Sequence, residues 1–112
     1  MNKKINKLEN ILVKEISYLL ATEIKDKNID FVTVTAVKLN NDLSMAKVYV
    51  TVLNVEQKEE ILNSLNHARK FIRSKLHDRI RIKQVPEILF IYDESIEQGN
   101  KIEKIIKDLN KN

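Results

Sequence analysis

Cysteine is absent from this chain, and glycine and proline occur once each, as Gly99 and Pro86. Without cysteine there are neither disulfide staples nor thiolate metal sites. A single glycine leaves no glycine-rich phosphate loop, which excludes P-loop NTPases and dinucleotide-binding enzymes. One glycine and one proline also leave little room for flexible linkers. The longest apolar runs are four or five residues, far short of the roughly 20 that a membrane span needs. The N-terminal MNKKINKLENIL lacks the apolar stretch and cleavage site of a secretory signal, so cytoplasmic residence is expected. No catalytic constellation is visible either. Ser17, Ser44, Ser64, Ser74 and Ser95 have no Gly-x-Ser-x-Gly setting. His67 and His77 lie among cations with no cysteine partner, a poor arrangement for a metal. Glu59-Glu60 and Asp93-Glu94 suit a helix N-terminus and a turn. The expectation is a non-enzyme with no cofactor, no metal, no membrane association and no small-molecule substrate.

What is present is positive charge with an address. By length, residues 1–112 make one domain, and 43% hydrophobic with 32% charged residues fits a soluble globular protein. All four arginines fall within thirteen residues, as Arg69, Arg73, Arg79 and Arg81. Lys70, Lys75 and Lys83 join them, and Asp78 is the one acid among them. The window 69–83 carries a net +6 while the whole chain carries +4, so the remainder sums to −2. Arginine's planar fork of donors matches phosphate oxygens. A cluster of this kind points to a polyanion, nucleic acid first. The plainer alternative is a solvated helix face, but this run is unbalanced while the other helical segments mix signs.

Periodicity predicts an α-β-β-α-β-α order. Ile5, Leu8, Leu12, Ile16, Leu19 and Leu20 mark a helix over 3–25. Phe31 to Leu39 and Met45 to Leu53 read as strands, and in the second Ala46, Val48, Val50 and Val52 alternate with Lys47, Tyr49 and Thr51. Asn40-Asn41-Asp42 between them predicts an antiparallel hairpin. A second helix begins near Glu56, with Ile61, Leu65, Ala68, Ile72 and Leu76 as its buried stripe. Glu56, Glu59 and Glu60 in its first turn complement the helix dipole. Pro86 leads into a third strand at Ile88 to Tyr92, parallel to the strand from which the helical crossover departs. Ile102, Ile105, Ile106 and Leu109 mark a final helix after Gly99. The expected fold is α+β: a three-stranded mixed sheet with helices packed on one face.

At about 100° per residue, Arg69, Asn66, Arg73, His77 and Lys70 fall on one flank of the second helix, and Lys75 on the other. Arg79, Arg81 and Lys83 extend the run beyond the helix. Such a strip binds phosphates through Coulomb attraction and counterion release. Lys3, Lys4 and Lys7 form a possible secondary RNA contact. Phe31, Phe90, Tyr18 and Tyr92 are assigned to packing or hairpin edges. Phe71 and Tyr49 are the possible stacking groups, with packing the default for Phe71. Reversing Arg73 and Arg79 is expected to remove binding and leave the fold intact.

Several of these segments resemble the ribosome-binding factor A family. VTVTAVKLNNDLSMAKVYV at 32–50 looks like its hairpin, with Asp42-Leu43 and Ala46-Lys47-Val48 in the family's places. LNHARKFIRSKL, Leu65 through Leu76, resembles its kinked helix, and Val85-Pro86-Glu87-Ile88 with Phe90 and Asp93 the entry to its third strand. The resemblance implies a type II KH-like fold and a monomer that binds the free or immature 30S small subunit. It also implies a part in 16S rRNA maturation and in growth at low temperature. The family's Ala-x-Gly kink reads Ala68-Arg69-Lys70 here. Lysine resists the positive φ that glycine adopts freely, so a softer bend, or one held by packing, is expected. The competing readings are a general nucleic-acid-binding module and an adaptor whose basic strip meets an acidic protein.

Overall fold

The structure, a computed structural model, describes residues 3–24, 26, 29 and 31–95. Helix α1 spans Lys3–Thr22, with Leu12, Ile16, Leu19 and Leu20 buried at the predicted three- and four-residue steps. It ends at Thr22, three residues short of the predicted boundary. There the Thr22 hydroxyl donates to the Tyr18 carbonyl at 2.7 Å and Glu23 N–H closes the last turn onto Leu19 at 2.8 Å. A threonine that bonds back to the preceding turn competes with helix propagation.

Strands β1 (Val32–Leu39) and β2 (Met45–Val52) pair antiparallel, and β3 (Glu87–Tyr92) runs parallel to β2, giving the order β1-β2-β3. The register carries Val37 opposite Val48 and Val34 opposite Val50, with a bulge at Thr35 between them. That extra residue switches β1's inward positions from even to odd numbers. The sequence of β1 therefore lacks the clean alternation of β2. The Thr35 hydroxyl donates to Asp93 Oδ2 at 2.6 Å, tying β1 to the end of β3.

The hairpin turn uses more of the sequence than Asn40-Asn41-Asp42. Leu43 sits at φ 61°, a left-handed conformation that costs a leucine about 1 kcal/mol. Side-chain bonds from the turn offset that cost. Asn40 Oδ1 accepts from Met45 N–H at 2.9 Å, and Asp42 Oδ1 accepts from Ser44 N–H at 3.1 Å and from its hydroxyl at 2.7 Å.

After β2, a 3-10 turn at Val55–Gln57 leads into α2 (Lys58–His67), and α3 (Arg69–Arg79) follows at once. Three helices thus lie against one side of the sheet. Ala46, Val48, Val50 and Val52 face them and are buried, while Lys47, Tyr49 and Thr51 face away. Leu12, Ile16 and Leu19 of α1, Leu65 of α2, Ile72 and Leu76 of α3, and Ile88 and Phe90 of β3 complete one continuous core. Phe31 does not join it. At φ 63° its side chain swings out of the strand's alternation and stays 75% exposed, so of its two expected places, packing or the hairpin edge, packing is excluded. The predicted final helix, with Gly99, lies outside the described residues.

Asp93 gives the fold an acid-sensitive tie. Hydrogen bonds from Ser95 first, and then from Thr35, hold its carboxyl below the usual 3.8. A lowered folded value means that the stabilisation is present above the ordinary pKa and is lost as pH falls through the folded one. Asp93→Asn is expected to flatten the acid limb of stability below about pH 5. Urea melts at a series of pH values measure this, and an unchanged acid limb would show that the tie carries no pH dependence.

Candidate nucleic-acid interface

The interface is organised by the break between α2 and α3. Ala68 takes φ −89° and ψ 1°, in the bridge region between helix and strand. Its N–H is shared between the carbonyls of Ser64 and Leu65, both at 3.1 Å, and its carbonyl accepts from Ile72 N–H at 3.0 Å. Lys70 lies inside α3, and no residue of either helix has positive φ. The bend needs no glycine because packing sets it. Leu65 before the break and Ile72 after it are both 0% exposed.

A side-chain clamp adds to this. Asn66 Nδ2 donates to the Phe90 carbonyl at 3.1 Å, and Asn66 Oδ1 accepts from Phe90 N–H at 2.8 Å. Asn66, expected on the basic flank, is thus turned onto the backbone of β3. Its spacing from Phe90, 24 residues along the chain, leaves no local sequence signal for the contact.

The seven clustered cations divide into two groups. Arg69, Lys70 and Arg73 line one depression with Met45, Glu87, Ile88 and Leu89. Lys70 and Arg73 also line its neighbour, with Ser74, His77, Asp78, Lys83, Gln84 and Val85. Two chain segments, α3 and the loop before β3, therefore meet as the walls of one basic cleft. The loop also borders Leu8 of α1 beside the hairpin tip at Asp42 and Leu43. Leu8 thus shares a depression with Lys83, and Lys3, Lys4 and Lys7, all exposed, precede it on α1. Arg69, Lys70, Arg81 and Lys83 are exposed.

The other cations are committed to internal contacts. Arg73 directs Nε (3.1 Å) and Nη2 (2.9 Å) at the Val85 carbonyl, bracing the loop that carries Lys83. Arg79 pairs with Glu15 of α1 at 2.5 Å and stacks over Tyr18 with 4.2 Å from guanidinium carbon to ring centre. The Glu15 hydrogen bond holds its guanidinium above the ordinary pKa. Lys75 Nζ lies 5.5 Å from the centre of the Phe71 ring. Composition and charge could not distinguish these groups, because the partners of Arg73 and Arg79 stand 12 and 64 residues away.

This geometry revises the Arg73 and Arg79 expectation. Arg73→Ala removes two charge-assisted bonds to a part-buried carbonyl and is expected to cost about 1–3 kcal/mol, lowering Tm by roughly 5–15 °C. Calorimetry checks this. A Tm within about 2 °C of the parent would show that the brace contributes nothing.

The order α-β-β-α-α-β, the parallel third strand and a basic kink between paired helices define a type II KH-like domain with a cationic cleft. A family model described as ribosome-binding factor A matches residues 4–106, and the chain belongs to that family. It is 48% identical over 99 residues to the ribosome-binding factor A of Staphylococcus carnosus, covering 88% of this chain and 86% of that protein. The crystal structure of ribosome-binding factor A from Thermus thermophilus superposes with a TM-score of 0.75 at 26% identity, over 81% of this chain and 97% of that one. A homology model of the Thermus thermophilus protein, fitted into the cryo-EM map of a 30S complex, matches with a TM-score of 0.67 at 26% identity. It covers 79% of this chain and 93% of that one.

Proposed function

We propose that this chain is a non-catalytic, cytoplasmic assembly factor that binds the free or immature 30S subunit as a monomer and assists 16S rRNA maturation. Two things support the reading: the family to which the chain belongs, and the 30S complex into which a relative was fitted. The observation that carries it to particular residues is the convergence of Arg69 and Lys70 with Lys83 around one cleft. Those cations, with Arg81, attract phosphate oxygens and release counterions on binding. Arg73 and Arg79 shape the surface from within, Lys75 lies at its far flank, and Lys3, Lys4 and Lys7 supply a secondary contact. The mechanism is differential binding: a factor that prefers one rRNA conformation raises its population by the difference in affinity. An aid of that kind matters most in the cold, where misfolded RNA rearranges slowly.

Cosedimentation with separated small subunits, large subunits and naked RNA tests the proposal. Selective pelleting with small subunits at physiological salt is the expected result. Equal binding to every RNA would identify a general nucleic-acid-binding module instead, and binding that needs no RNA would identify a protein adaptor.

A further inference from the structure

One face of the sheet carries no helix among the described residues, and its side chains form a graded surface. The register sets them out in rows. Lys38, Lys47 and Leu89 stand side by side across β1, β2 and β3, and the next row is Ala36, Tyr49 and Ile91. Lys38 directly opposes Lys47, and like charges in that position repel. Both are exposed, and no carboxylate among the described residues pairs with either. Glu87, across from Met45, is the acid nearest in the register. At the other end of the face, Asp93 is engaged by Thr35 and Ser95.

The surface therefore carries two lysines against the single acid Glu87 towards the start of β2 and Asp93 towards its end, with Tyr49 between on the central strand. Its basic end adjoins the cleft, because Met45 and Leu89 of this face share a depression with Arg69 and Lys70. A repelling lysine pair beside a half-exposed aromatic ring fits a single-stranded polyanion with stackable bases. An acidic peptide would use the charges but leave the ring without a role, and an apolar peptide would leave the lysine pair without a partner.

We propose that single-stranded RNA leaving the Arg69–Lys70 cleft continues onto the sheet face opposite the three described helices, stacks a base on Tyr49 and sets its flanking phosphates against Lys38 and Lys47. The inference rests on the RNA-binding reading above and adds a second, aromatic contact to it. The strand stops short of Asp93, whose carboxylate repels phosphate.

The chain has three tyrosines and no tryptophan, so a Tyr18→Phe, Tyr92→Phe protein leaves Tyr49 as the sole strong ultraviolet emitter. Titration of that protein with an oligouridylate of about twelve nucleotides is expected to quench Tyr49 emission by about half or more. Lys38→Glu with Lys47→Glu is expected to weaken binding of a labelled oligouridylate, read by anisotropy, by about tenfold. The proposal is overturned if the labelled oligonucleotide binds while Tyr49 emission stays constant, if the lysine reversals bind as tightly as the parent, or if the parent does not bind it. Selective cosedimentation with small subunits alongside any of these results would leave the cleft reading standing and remove only the sheet-face contact.

Discussion

Arg69→Glu, Lys70→Glu and Lys83→Glu combined are expected to weaken binding to small subunits by about 100-fold at physiological salt, with Tm within about 2 °C of the parent. The three side chains are exposed and have no ion-pair partner among the described residues, so their reversal removes no fold contact. Each lost phosphate contact also lowers the slope of log affinity against log salt by roughly 0.7–0.9, so a salt series shows about how many contacts were removed. The same substitutions at Arg73 and Arg79 would mix two effects, because those guanidinium groups hold the Val85 carbonyl and Glu15. Lost binding there would not distinguish a missing contact from a displaced loop. A folded triple variant that pellets with small subunits as the parent does would place the RNA on another surface.

Leu65→Ala is expected to cost about 2–5 kcal/mol, against a total stability of about 5–15 kcal/mol for a domain of ordinary size. Leu65 is 0% exposed and sits one turn before the break at Ala68, where α2 presses on the sheet. Its truncation leaves a cavity beneath the bend that the surrounding core fills only in part. Urea denaturation should give a lower midpoint with an unchanged m-value. A loss below about 1 kcal/mol would mean that the helices close over the gap, and the packing account of the bend would fail with it. The expected side effect is functional, since a bend held by packing and not by a glycine depends on the residues that flank it.

Much of the fold was legible because burial imposes periods. The stripes at Leu12, Ile16 and Leu19 and at Ala46, Val48 and Val50 stand in the sequence as they stand in the structure. Alternation could not reveal the bulge at Thr35, since one inserted residue reverses the parity without changing residue types. Nor could it place Phe31, whose positive φ takes it out of the alternation. The basic cleft was half legible. Helical geometry put Arg69, Lys70 and Arg73 on one flank, as found, but the approach of Lys83 depends on the path of the loop after α3. Which arginines are bound internally was not readable at all, because each answer lies in a contact between segments far apart in the chain.

Asn66 has a further consequence for how this molecule behaves at high concentration. Among the described residues strand β3 ends the sheet on one side, and an open margin of backbone donors and acceptors invites other chains to extend it. By occupying the N–H and the carbonyl of Phe90 together, one carboxamide caps that margin at its middle. Replacing it would reopen a seeding point for aggregation.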